Sequence, residues 1–226
     1  MPCSLLASGY LLLMQLPLFP LRVVLFPGSL LPLHIFEPRY QALLTAVTAG
    51  DHRFGLLPPG EQGGLPAPGS IGCAAQVRAV QPLPEGRSNI VVSGERRFRF
   101  LEPAPAPTPY HQGLVDWVDD LPDVQIPSEA ELRRLRALAE RYALALNALH
   151  DQALDVSLSD GAAELSFEAA ALLEWEFEPR QLLLEMRSAT QRVIRLLQVL
   201  PALVRHAEAR AERHGHAKTN GHGSIA

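Results

Sequence analysis

The hydrophobic pattern of the chain changes period near residue 120. Ahead of that point, apolar residues come in short runs broken by proline and glycine. Beyond it they recur every three to four residues. The densest apolar stretch, Leu16–Tyr40 (LPLFPLRVVLFPGSLLPLHIFEPRY), carries Pro17, Pro20, Pro27, Pro32 and Pro38. A proline inside a helix costs about 3 kcal/mol and removes a backbone donor, so this stretch is neither a membrane span nor a buried helix. It predicts extended segments at Leu16–Phe19, Val23–Phe26 and Leu31–Ile35, each ended by a proline or a Pro-Gly turn.

Pro38 suits the first turn of a helix that runs to Gly50, with Tyr40, Leu43, Leu44 and Val47 on its sheet-facing side. Strands are predicted at Arg53–Leu57, Ile71–Gln81, Asn89–Ser93, Arg97–Leu101 and Tyr110–Val118, with a tight connection at Gly94-Glu95. Pro58–Ser70 reads as an exposed loop and Pro103–Pro109 as a stiff connector. Asp116, Asp119, Asp120 and Asp123 mark a solvated crossing into the second half. There, Ser128-Glu129-Ala130-Glu131 forms a capping box opening a long helix to about Asp151, with Leu132, Leu135, Leu138, Tyr142, Leu146 and Leu149 as its stripe. Helices over Glu164–Trp175 and Glu178–Met186 follow, then one from a second box at Ser188-Ala189-Thr190-Gln191, with Pro201 expected to kink or end it before Arg210.

The block Leu16–Tyr40, then Phe54–Leu57 (FGLL), Gly69–Val80 (GSIGCAAQVRAV) and Asn89–Phe100 (NIVVSGERRFRF), taken in that order, resembles the amino-terminal, substrate-binding domain family of the ATP-dependent Lon proteases. The resemblance is strong over Leu16–Leu101 and thinner, helical in character, to about Arg210. It implies an α+β fold: a β-rich, PUA-like pseudobarrel followed by a C-terminal helical subdomain. The expected organisation is a disordered leader over 1–14, the β-rich part over 15–123, the helical part over 124–210 and a disordered tail over 211–226.

Composition narrows the function. Of 226 residues, 47% are hydrophobic and 19% charged, as in a folded body with a sizeable core. The net charge of −4 supplies no global field for nucleic acid or anionic lipid. The only lysine is Lys218, in a Gly/His/Asn tail, so neither a P-loop nor a Ser-Lys dyad is encoded, and no G-x-S-x-G elbow occurs. Cys3 and Cys73 make no disulfide framework or metal site, which fits a reducing cytoplasm. The leader lacks a basic n-region and a clean cleavage site, and is read as an extension upstream of a start at Met14. The carboxylates of the crossing lack the spacing of a calcium loop, and the histidines of the tail lack fixed geometry for zinc.

The resemblance therefore implies a stand-alone, non-catalytic module that needs no cofactor. It would bind unfolded or exposed apolar polypeptide, as an adaptor in protein quality control beside a protease or chaperone, with no membrane or nucleic-acid partner. The peptide-binding candidates are His34, Phe36, Glu37, Arg39, Tyr40, Arg96, Arg97 and Arg99. The same residues also have structural readings: Glu37 at a helix start, Arg39 paired locally, Tyr40 packed, and the arginines on a solvated strand face with cross-strand ion pairs. Phe98 and Phe100 alternate with those arginines and should face the other way. RNA binding and a small enzyme are the rival functions; peptide addition to a sheet edge is an alternative mode.

Overall fold

The computed structural model describes residues 14–151, 153 and 156–221. The leader up to residue 13 and the last five residues of the tail lie outside the described residues. The chain divides into two compact units, one built from residues up to Val23 with Leu31–Val118, the other from Val24–Leu30 with Asp119 onward. The fold is α+β: a six-stranded mixed sheet in the first unit, and helices in the second.

In the first unit the elements are β1 (Met14–Pro20), β2 (Leu30–Ile35), α1 (Pro38–Thr48), β3 (Arg53–Leu57), β4 (Ile71–Pro82), β5 (Ser88–Pro103) and β6 (His111–Trp117). The strand order is β2-β5-β4-β3-β1-β6, and β6 also pairs with β5, so five strands close on themselves while β2 attaches to β5 from outside. Strands β1 and β3 run parallel, with Leu18 opposite Gly55. The closed strands surround Leu16, Leu18, Leu57, Phe98, Phe100 and Val115. Glycines make room for these side chains: a Cβ on Gly55 or Gly113 would enter the space of Leu18 and of Phe98 or Phe100.

Several local expectations are corrected here. Val23–Phe26 is not a strand. Val24, Leu25 and Phe26 are buried within the helical unit, where Phe26 meets Phe167 at 6.1 Å and Arg180 donates to the Val24 carbonyl. A Pro27-Gly28 turn, with Gly28 at φ 80°, then reverses the chain toward β2. The connection at Gly94-Glu95 is no turn either. Cys73 faces Arg97 while Ala75 faces Gly94, so β5 is one continuous strand with a bulge at the glycine.

The second unit holds α2 (Glu129–His150), α3 (Ala162–Leu172), α4 (Phe177–Glu185) and α5 (Ala189–Gly221). The capping box of α2 forms in full: Ser128 accepts from the Glu131 N–H, and the Glu131 carboxylate accepts from the Ser128 N–H. The left-handed Asp151 ends the helix. Helix α5 passes through Pro201 and reaches Gly221, beyond the end expected near Arg210. One proline deletes a single ladder bond, and buried Val193, Leu196, Leu200, Val204 and Ala207 keep the helix packed on both sides of it.

In the acidic crossing, Asp120 and Asp123 form a clasp rather than a solvated linker, and the second unit takes in the chain from Asp119 onward. Asp120 grips the fully buried Arg192 of α5 through both carboxylate oxygens, at 2.8 and 2.6 Å. Arg192 also donates to Ser166 Oγ and the Met186 carbonyl, and lies 3.9 Å from the centre of the Phe167 ring. Asp123 caps α5 by accepting from the Ser188 hydroxyl and from the Thr190 N–H and hydroxyl. These bonds, the Ser188 hydroxyl first, hold its carboxyl below the usual range.

Candidate functional site

The open side of the first unit is where β4 and β5 run on past the closed strands toward their connecting turn, with β2 beside them. Edge pairing explains the arrangement. Residues 98–103 of β5 pair with β6, so the earlier part of the same edge is left for β2. The turn is a 3-10 segment with Glu85 and Gly86 at φ 62° and 72°. Gln41 of α1 holds it, its amide donating to the carbonyls of Phe36 and Glu85.

A groove of about 530 Å³ lies on these three strands. It is lined by Pro32, Leu33 and His34 from β2, Ala79, Val80 and Gln81 from β4, and Asn89, Ile90 and Val91 from β5. None of these residues is an acid, a lysine or an arginine. The Nδ1 of His34 meets Asn89 Oδ1 at 2.7 Å, and its ring stacks on Phe36 with centroids 5.9 Å apart. Phe36 is 59% exposed and Val80 41%, so apolar surface faces water on a rigid strand scaffold.

The eight candidates separate into three environments. His34 lines the groove, and Phe36, just past the end of β2, stacks on its ring. Glu37 and Arg39 form an ion pair at 2.9 Å at the start of α1, where the Arg39 guanidinium covers the Tyr40 ring at 4.5 Å. Tyr40 is 3% exposed and stacks on Phe19 at 3.8 Å. Its hydroxyl has no hydrogen-bond partner among the described residues, and burial pushes its pKa up. Burial and then the Arg39 charge push the nearby His111 imidazole down.

The arginines of β5 do not make one patch. Arg96 is exposed and lies over Trp117 at 5.2 Å. Arg97 is 3% exposed, so the solvated strand face expected there is corrected: this side chain is buried on the face of β5 opposite Phe98 and Phe100. Arg99 pairs with Asp116 at 3.5 Å. Phe98 and Phe100 do face the core as expected. Cys73 is buried, and burial pushes its thiol up to about 12, which makes it unreactive filler at neutral pH.

Sequence reasoning missed Asn89, Val80 and Val91. The start of β5 alternates like any half-buried strand and the end of β4 is exposed throughout, and only the approach of β2 makes a groove of them. Among the described residues no group of three or more His, Cys, Asp or Glu side chains is placed to hold a metal ion. No helix among them is long and apolar enough to cross a membrane.

Comparison with known proteins places this architecture. The model of the ATP-dependent protease La (LON) substrate-binding domain matches residues 15–201. A Lon protease of Cytophaga hutchinsonii is 26% identical over 216 residues, covering 91% of this chain and 26% of the protease. The chain thus spans about a quarter of the length of the curated relatives it matches. A crystal structure of a Lon N-terminal domain protein from Xanthomonas campestris superposes with a TM-score of 0.60 at 27% identity, covering 82% of this chain and 98% of that one. The N-terminal domain of the Mycobacterium avium complex Lon protease shares the fold, with a TM-score of 0.57 at 18% identity over 83% of this chain and 98% of that one.

Proposed function

The chain belongs to the ATP-dependent protease La (LON) substrate-binding domain family, and on that premise we propose that it is a non-catalytic polypeptide-binding module of the cytoplasm. It presents unfolded or apolar segments to the machinery of protein quality control, acting as an adaptor to a protease or chaperone. The observation that carries this reading is the uncharged groove on β2, β4 and β5 with Phe36 beside it. Apolar side chains held on or beside paired strands lose little entropy on binding, which is what a low-specificity peptide surface requires. The occupant lies across the sheet face. Pro32 removes a donor from the outer strand β2, and proline on an edge strand opposes strand addition.

The arginines support this reading over RNA binding. Arg39 and Arg99 are committed to carboxylates, as is Arg53 to Glu95 at 2.6 Å, and Arg97 is buried. A phosphate-tracking surface needs such groups free.

The test is a fluorescence anisotropy titration of a labelled, permanently unfolded polypeptide. Burying an aromatic side chain contributes at least about 1.5 kcal/mol, or roughly tenfold in affinity, so Phe36→Ser should weaken binding by about that factor. Leu182→Ser, at a comparably exposed apolar position of α4, should bind as the wild type does. Equal affinities for all three proteins would remove the groove from the function.

A further inference from the structure

The groove's polar content is concentrated in one side-chain pair. The Oδ1 of Asn89 accepts and cannot donate, so the 2.7 Å contact places the proton of the neutral His34 ring on Nδ1. Two groups are then left over: the Nε2 of His34, a bare acceptor, and the Nδ2 of Asn89, a donor. Both residues line the groove. Phe36 stacks on the imidazole, with ring centroids 5.9 Å apart.

Between them the two side chains offer one acceptor and one donor, the roles complementary to the N–H and C=O groups of a polypeptide main chain. Resting on the polypeptide-binding reading above, we propose that the His34–Asn89 pair is the groove's main-chain reader. His34 Nε2 accepts from a backbone N–H of the bound segment, and Asn89 Nδ2 donates to a backbone carbonyl. The rest of the lining carries no formal charge, so the occupant is an uncharged apolar segment; a carboxylate or ammonium seated there would be desolvated without a partner. Reading the main chain leaves the sequence of the segment open. His34 and Asn89 are therefore the residues that distinguish polypeptide from any other apolar ligand.

The first test is the imidazole tautomer of His34, read from ¹⁵N NMR of the free protein. The proton is expected on Nδ1; a ring protonated on Nε2 overturns the proposal whatever binds. The second test uses a soluble Leu/Phe/Val-rich peptide flanked by serines, with and without backbone N-methylation. A single hydrogen bond is worth about 0.5–1.5 kcal/mol, or roughly three- to tenfold in affinity. His34→Phe keeps the stacked ring and loses the acceptor, and should bind the plain peptide that much more weakly. Asn89→Leu should do the same. N-methylation at the contacting position should weaken wild-type binding by a similar factor and cost His34→Phe nothing further. Peptide binding that survives both substitutions overturns the main-chain reader alone. Absence of any binding to the wild type overturns the polypeptide-binding reading, and the reader with it.

Discussion

Asp120→Ala is expected to destabilise the helical unit by about 3–5 kcal/mol, the usual consequence of stripping one partner from a buried ion pair. The guanidinium of Arg192 is fully buried, and the Asp120 carboxylate engages it through two hydrogen bonds. Without the carboxylate, a cation would remain enclosed by Phe167, Ser166 and the Met186 carbonyl. The lost energy has a specific address, because Asp120 lies in the segment that leads into α2 while Arg192 lies in the first turns of α5. Urea unfolding followed by hydrogen exchange of α3, α4 and α5 measures it. Those helices should lose protection first, while β3 and β4 keep theirs. The double variant Asp120→Leu with Arg192→Met removes both charges and should recover most of the stability, since a well-packed apolar pair replaces a buried ion pair at little cost. An unchanged urea midpoint for Asp120→Ala would show that the clasp is not what holds the helical unit together.

Gly72→Val is expected to cost about 3 kcal/mol, at the upper end of overpacking in a close-packed core. Gly72 sits in β4 opposite Phe98, and a Cβ there would collide with the Leu56 carbonyl oxygen on one side and with the Phe98 ring, at 2.6 Å, on the other. The carbonyl belongs to β3 and cannot withdraw without breaking the sheet, and Phe98 is fully buried. The strain therefore has nowhere to go. Gly64→Ala is the matched control. It has φ −79° and its nearest neighbour, the Glu61 carbonyl oxygen, is 3.4 Å from a built Cβ, so its stability should stay within a few tenths of a kcal/mol of wild type. Thermal unfolding of the two variants side by side checks the pair, and equal midpoints would contradict the packing described for the closed strands.

What the sequence showed and what it hid divide along physical lines. Local chemistry was legible. The Ser128/Glu131 box, Pro38 at the start of α1 and strand β3 at Arg53–Leu57 depend on neighbours within a few residues, and each stands where its pattern placed it. Features set by long-range contact were not. Val24–Phe26 has β-favouring residues, yet it is buried among helices more than a hundred residues away along the chain. Arg97 alternates with phenylalanines like an exposed strand residue, yet its own face of β5 is buried there and leaves it 3% exposed. Asp120 and Asp123 read as solvated because their partners, Arg192, Ser188 and Thr190, are distant in sequence. The groove follows the same rule. His34 and Phe36 were found from a family signature, whereas Asn89, 55 positions from His34, joins them only through the pairing of β2 with β5.

The groove on β2, β4 and β5 is the centre of the functional account, and site-specific photo-crosslinking tests it most directly. A benzoylphenylalanine is placed at Gln81, on the groove, and in a second protein at Arg133, on the exposed side of α2. Each is irradiated with a labelled unfolded polypeptide at a concentration where anisotropy shows binding. The account predicts covalent capture from position 81 and none above background from position 133. Capture from 133 with none from 81 would contradict it.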